Sequence, residues 1–203
     1  MKLFHCPNSR SVRIVWLLEE LGLDYELEVF PLGDKAMRTP EYLAIHPGGR
    51  VPALQDGDTT IFESGAIVEY LLARYGNGRM VPDVASPEFP QYLQWLHYAE
   101  GMIMPQVNII MVETFFLPPE RRNDTNVARA TKLLGRMVQA VDARMEGREW
   151  IAGEFSGADI MCGHACLAAE RCGADYSSLP NIAAYAARLK ARPLLQKAFA
   201  TGT

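Results

Sequence analysis

Phe4-His5-Cys6-Pro7-Asn8-Ser9-Arg10-Ser11-Val12-Arg13 joins a very short apolar segment, Leu3 and Phe4, to a strongly helical one, Val12 to Leu21. Between the two lie a thiol, an amide and two hydroxyls, all close to a predicted helix N-terminus. Unpaired backbone N–H groups and the helix dipole favour negative charge at such a place. A cysteine in that field is expected to have its pKa pulled down. Pro7 suits a first helical turn, where its missing N–H costs nothing. The stretch therefore reads as a reactive group at a strand-to-helix junction. Taken alone, Cys6 is as readily a small core residue, and Asn8, Ser9 and Ser11 are equally ready helix caps. A hydroxyl or amide there would also stabilise a ligand thiolate by hydrogen bonding, which lowers its pKa.

Working outward, Val12 to Leu21 is apolar on nearly every side except at Arg13, Glu19 and Glu20, and Gly22 stops it. A helix this apolar is expected to be buried against a sheet. Tyr25 to Val29 alternates with period two, as a half-buried strand does. Strand, helix and strand in about thirty residues imply a right-handed parallel βαβ unit. A short helix is expected around Glu41 to Ile45, followed by Pro47-Gly48-Gly49 as punctuation. Val51 to Gln55 and Thr60 to Glu63 read as two strands of a hairpin turning at Asp56-Gly57-Asp58. Ser64 is the expected N-cap of a helix carrying Ile67, Val68, Leu71, Leu72 and Tyr75, closed by Gly76. The order βαβ, short helix, ββα predicts an α/β domain with a mixed sheet over residues 1–77.

Residues 78–90, rich in Gly and Pro, read as a linker. Residues 91–203 show helical periods and no strand. Tyr92, Trp95, Leu96, Ala99, Met102 and Ile103 share a helical spacing that Pro105 should kink or interrupt. Val127, Ala130, Leu134, Met137, Val141 and Met145 mark one face of a long helix. Phe155 to Ile160 reads as a capping box. The Ser156 hydroxyl is expected to accept from the Asp159 N–H while the Asp159 carboxylate reaches back to the Ser156 N–H, and Phe155 with Ile160 forms a staple. Two further helices, Pro180 to Ala191 and Leu194 to Ala200, close an all-α second domain.

The chain has 203 residues, about half of them apolar, and a net charge of −4. It is long enough for a real core, and disorder is excluded by that apolar content. The absence of a basic block argues against nucleic acid or an anionic membrane surface. Met1 to Pro7 lacks the apolar run of a signal peptide, no run of ~18 apolar residues suggests a transmembrane helix, and the four cysteines read as reduced thiols. A cytoplasmic protein is expected. Cys162 and Cys166, with His164 between them and Cys172 beyond, do not have a zinc spacing and read as core thiols, so no metal is expected. Val51-Pro52 is either an edge-strand proline or, with a cis bond, a place where the Val51 backbone pairs with an extended ligand. Glu63-Ser64 is either a strand end with a cap or a carboxylate site. Arg50 offers a charge to a second carboxylate, whereas His46 has no sequence neighbour that makes it catalytic.

In this order and spacing these elements resemble the cytosolic glutathione transferase superfamily over essentially the whole chain, as a bacterial, non-tyrosine type. The motifs carrying the resemblance are Cys6 to Arg13, Pro47 to Leu54, Phe62 to Ile67, the Ser156 to Asp159 box and the segment from Leu179-Pro180-Asn181 to Arg192-Pro193. The resemblance implies a thioredoxin-like N-terminal domain that binds glutathione, an all-α domain completing an electrophile pocket, and a homodimer. It implies that Val51 pairs with the cysteinyl backbone of glutathione beside a cis-Pro52. It further implies that Glu63 and Ser64 hold the γ-glutamyl end, that Arg50 faces the glycyl carboxylate, and that the Ser156 box is a folding element. At the catalytic position the chain departs from tyrosine-type classes. Aligned on Val12-Arg13-Ile14, Cys6 matches the catalytic serine of theta- and zeta-like enzymes and the redox cysteine of omega-like ones. Asn8 matches the asparagine of Nu-like and yeast prion-related proteins, and Ser9 and Ser11 are nearby hydroxyls. These four are alternatives. Three functions follow. In the first, a transferase uses Asn8 or a hydroxyl to stabilise the glutathione thiolate, which attacks a small electrophile against a face including Tyr98, Met102 and Met104. In the second, Cys6 forms a mixed disulfide with glutathione as a thioltransferase or disulfide reductase. In the third, the chain is a non-catalytic binding module.

Overall fold

A computed structural model describes all residues, 1–203. The chain divides into two compact units, one of residues 1–79 with 190–203 and the other of residues 80–189. In the first, strands β1 (Lys2–His5), β2 (Glu26–Val29), β3 (Ala53–Asp56) and β4 (Thr59–Phe62) form one sheet in the order β2-β1-β3-β4. β1 and β2 are parallel, and the other two pairings are antiparallel. Helices α1 (Val12–Leu21), α2 (Pro40–Ile45) and α3 (Ser64–Tyr75) complete the expected βαβ-α-ββα order.

α1 is as buried as its composition requires, with Val12 through Leu18 all within the core. Gly22 ends it at φ 70°, a left-handed conformation that suits glycine. Tyr42 packs edge to face on Phe4 and Phe30, its ring 5.5 Å from the first and 5.0 Å from the second, while those two stack on each other. Ala53 joins this cluster and Val51 packs against it, so one apolar knot fixes the strand end where the candidate residues lie.

The last helix, α9 (Pro193–Ala200), differs from the sequence expectation. It packs on α1 in the first unit rather than with the helical residues 80–189. Two ion pairs hold it: Arg192 to Glu20 and Lys197 to Glu19, both 2.7 Å. Glu20 also accepts the Trp16 indole N–H at 2.9 Å. Such long-range pairing has no local sequence period.

The second unit is helical: α4 (Phe89–Tyr98), α5 (Met104–Met111), α6 (Asp124–Met145), α7 (His164–Arg171) and α8 (Pro180–Lys190), with α8 reaching its boundary. A π turn at Ala99–Ile103 joins α4 to α5 and places Pro105 in the first turn of α5. The wider turn absorbs the proline that would otherwise clash with the preceding carbonyls. On α6, Val138 takes the core position expected of Met137, which is half-buried.

The Ser156 box forms with one change. Asp159 Oδ2 accepts the Ser156 N–H at 2.9 Å as expected, but the Ser156 hydroxyl donates to the same oxygen at 3.2 Å. The Asp159 N–H goes instead to the Ser156 carbonyl. Ile151 N–H and Tyr185 O–H donate to Asp159 Oδ1 at 3.0 and 2.7 Å. A carboxylate surrounded by donors draws the serine proton to itself. No helix is long and apolar enough to cross a membrane.

Candidate functional site

Strand register brings the candidate stretches to one end of the sheet. β1 pairs with β3 at Phe4↔Ala53, and β3 with β4 at Ala53↔Phe62. Cys6, Val51 and Ser64 each lie two residues beyond that paired row, so the three stretches leave the sheet at the same end. The Val51–Pro52 bond is cis, and Val51 lies outside β3, shortening the expected strand by two residues. No backbone hydrogen bond within the chain engages Val51.

The turn from Cys6 to Ser11 is held by its own polar groups. Ser9 N–H donates to the Cys6 carbonyl at 3.2 Å, with Pro7 at the second place and Asn8 at the third with φ 61°. Proline followed by a residue able to take positive φ is what a type II turn requires, and asparagine tolerates it. The Asn8 side chain is exposed, Ser9 is half-buried and Ser11 is fully buried. Ser11 occupies the N-cap position of α1 without capping it. Its hydroxyl turns back to accept from Cys6 N–H at 3.0 Å and lies 2.7 Å from Ser9 Oγ and 2.8 Å from His5 Nδ1.

The thiol of Cys6 departs from expectation. Burial pushes its pKa up, and Sγ is placed to donate to the Pro7 carbonyl at 3.6 Å. The first N–H groups of α1 do not face it. Those of Val12 and Arg13 are taken by the carbonyls of Ser9 and Arg10. The field expected to favour a thiolate is thus spent on the backbone turn, and desolvation decides.

At β4, Glu63 rather than Ser64 is the N-cap of α3, with φ 75° and ψ 114°. A non-glycine residue in that region costs about 1–3 kcal/mol and clusters at ligand clamps. The first bond of the helix runs from Ile67 N–H to the Glu63 carbonyl, so the N–H groups of Ser64, Gly65 and Ala66 precede the α3 ladder. Ser64 is buried, and its hydroxyl accepts from Arg13 Nη1 at 3.0 Å. Arg13 is itself fully buried, so a positive charge lies directly beneath that helix start.

Arg50 is exposed, and its carbonyl accepts the Tyr42 hydroxyl at 2.7 Å. His46 stacks 4.6 Å from the Phe62 ring, and its Nδ1 accepts the Gly48 N–H at 3.1 Å. Burial lowers its pKa, with the Glu63 charge opposing and the Arg50 charge reinforcing that shift. His46 therefore belongs to the same corner. No group of three or more His, Cys, Asp or Glu is arranged to hold a metal ion.

Residues 1–73 match the family model described as glutathione S-transferase, N-terminal domain. Over 196 residues the chain is 34% identical to glutathione S-transferase 4 of Zea mays, spanning 91% of this chain and 85% of that protein. The chain belongs to the glutathione transferase family. It is also 32% identical over 187 residues to glutathione S-transferase 3 of Schizosaccharomyces pombe, spanning 87% of this chain and 76% of that one. A solved glutathione transferase from Pseudomonas putida, with one glutathione disulfide bound per subunit, superposes with a TM-score of 0.89 at 25% identity. That match covers 100% of this chain and 91% of the other.

Within this family member, the sequence alone assigned no role to His5 or Arg13 and set His46 aside. A polar residue in the short apolar β1 and a charge on an otherwise apolar helix are the signals that mark the first two. Of the residues expected on the electrophile face, Met102 is exposed and Met104 is buried. Tyr98 donates to the Met137 carbonyl at 3.2 Å.

Proposed function

We propose that the chain is a glutathione transferase that binds glutathione along the sheet end and activates its thiol at the Cys6–Ser11 turn. The observation that carries this reading is that the stretches of Cys6, Val51 and Ser64 leave the sheet at one end, beyond the paired row Phe4, Ala53 and Phe62, with the Val51 backbone unengaged. An extended peptide satisfies such a backbone by adding to it as a short strand. The γ-glutamyl carboxylate is assigned to Ser64 and the N–H groups that open α3, over the buried Arg13. The glycyl carboxylate is assigned to Arg50, where the point charge is exposed.

Asn8 and Ser9 are the groups assigned to the sulfur, being the polar side chains of the turn that are not fully buried. Moving a thiol pKa from ~8.5 towards ~6.5 raises the thiolate from a few per cent to most of the population at pH 7. That gain is only tens-fold, so positioning supplies the rest. The burial of Cys6 and its raised pKa favour the transferase reading over a disulfide reductase that uses this thiol. The second substrate is a small, mostly apolar electrophile. Family membership supports the further reading of a cytoplasmic homodimer serving detoxification.

Calorimetric titration with glutathione tests the assignment. Binding with one site per chain is expected, and no detectable heat at millimolar ligand would overturn it.

A further inference from the structure

Ser11 Oγ lies 2.8 Å from His5 Nδ1, 2.7 Å from Ser9 Oγ, 3.0 Å from Cys6 N and 3.1 Å from the Cys6 carbonyl. A hydroxyl has one proton and two lone pairs, so it cannot serve four neighbours at once. The far side of His5 decides the assignment. His5 Nε2 lies 3.1 Å from the Thr201 carbonyl, which only accepts, so Nε2 carries the hydrogen. In a neutral ring Nδ1 is then bare and takes the Ser11 proton. The Ser11 oxygen accepts from the Cys6 N–H and from the Ser9 hydroxyl. Ser9 accepts the Ser11 N–H at 3.2 Å and keeps one lone pair for an incoming donor. The hydrogen bonds therefore all run inward, from the half-buried Ser9 to the buried His5.

We propose that His5 receives the proton of the bound glutathione thiol through Ser9 and Ser11, acting as a two-hydroxyl relay. The inference rests on the reading that this thiol sits at the Cys6–Ser11 turn. The S–H bond breaks with sulfur keeping the electron pair, and its proton passes to Ser9 Oγ. The proton of Ser9 moves to Ser11, and that of Ser11 moves to His5 Nδ1. A thiolate is left facing a Ser9 hydroxyl now turned outward to donate to it. The imidazolium keeps its Nε2–H on the Thr201 carbonyl. After attack, the proton returns along the same chain to the leaving group or to solvent.

His5 suits the role. Without glutathione, burial lowers its pKa and keeps the ring neutral at pH 7, while the Thr201 carbonyl, and the charge of a thiolate brought to the turn, favour its charged form. The ionisable groups of the neighbouring elements are engaged elsewhere. Cys6 keeps its proton, Arg13 of α1 donates to Ser64, and Lys197 of α9 pairs with Glu19. Glu20 of α1 pairs with Arg192, and Lys2 of β1 pairs with Glu28 of β2 at 2.6 Å. Gly202 leaves room beside the ring, since a Cβ there would meet His5 Cδ2 at 3.3 Å.

His5 acts through other groups, so its test needs a readout that support alone does not move. His5→Gln offers an amide oxygen to Ser11 and an N–H to Thr201 but takes up no proton. The thiolate absorbance of bound glutathione is titrated with pH, alongside kcat/KM for a chloronitrobenzene electrophile and calorimetric affinity. The thiolate titration is expected to move up by about one unit or more, with activity at pH 7 falling about tenfold or more. Activities should converge at high pH, and glutathione affinity should stay within about twofold, the wild-type titration being the reference. Ser9→Ala, at a half-buried position that tolerates truncation, should shift the titration likewise. An unmoved titration in both variants, including one accompanied by weaker binding, would overturn the relay while leaving the glutathione site intact. Wild-type protein that binds no glutathione would overturn the site itself, and the relay with it.

Discussion

Replacing Asp159 with alanine removes the acceptor on which Ile151 N–H, Tyr185 O–H, Ser156 N–H and Ser156 O–H converge. Stranding four buried donors at roughly 1–2 kcal/mol each gives a loss of about 4–8 kcal/mol. Against that stands the penalty of burying the charge. Burial, only partly offset by those donors, raises the Asp159 pKa from 3.8 to about 6. Two units correspond to about 3 kcal/mol that the variant no longer bears. The difference is a net destabilisation of about 3 kcal/mol, or a fall in Tm of roughly 6–12 °C for a chain of this length. Urea unfolding followed by tryptophan fluorescence reads it well, because Trp150 packs against Tyr185 and Phe155, at 6.4 and 5.0 Å. The pH dependence has a definite sign. Between about pH 4 and 6 the folded state holds more protons at Asp159 than the unfolded chain, so this contribution declines as pH rises and is level above. The gap between wild type and Asp159→Ala should widen on acidification from neutral pH. Activity per folded molecule should be unchanged. A loss below about 1 kcal/mol at unchanged m would refute the four-donor account.

Other consequences concern the first unit. Cys6, with its raised pKa, should be alkylated more slowly at neutral pH than an unstructured cysteine thiol, as mass spectrometry of the intact fold would report; faster labelling would restore the redox reading. Ser64→Ala should weaken glutathione binding about tenfold, because it removes a polar contact and leaves Arg13 Nη1 without its acceptor. Unchanged calorimetric affinity would show that the γ-glutamyl end lies elsewhere. Glu20→Ala should cost about 1–2 kcal/mol and expose the amides of α9 to hydrogen exchange, since Arg192 and Trp16 both lose their acceptor. Unaltered protection of α9 would contradict the pairing.

Much of the fold was legible because it is written in local signals. The period of Val12 to Leu21 with Gly22 behind it, the Asp-Gly hairpin turn and the Phe155–Ile160 box each name their own element. The candidate stretches were legible in the same way, since turn residues and a helix start stand side by side at Cys6–Arg13 and Phe62–Ile67. Hydroxyl partners were not. Ser11 could be read as a cap, but its engagement with His5, and of His5 with Thr201, joins residues far apart in the chain. Arg13 stood out only as a polar break in an apolar helix, and only packing against α3 shows its partner to be Ser64. The sign of the Cys6 shift was missed because a helix start was assumed to offer free N–H groups. The preceding turn consumes them.

The central claim is where glutathione lies, and a crystal structure of the complex tests it most directly. The cysteinyl backbone of glutathione should pair with Val51, its γ-glutamyl carboxylate should meet Ser64 and the N–H groups that open α3, and its sulfur should lie within ~3.5 Å of Ser9 Oγ or the Asn8 amide. Glutathione bound away from that sheet end, or joined to Cys6 as a disulfide, would contradict the account.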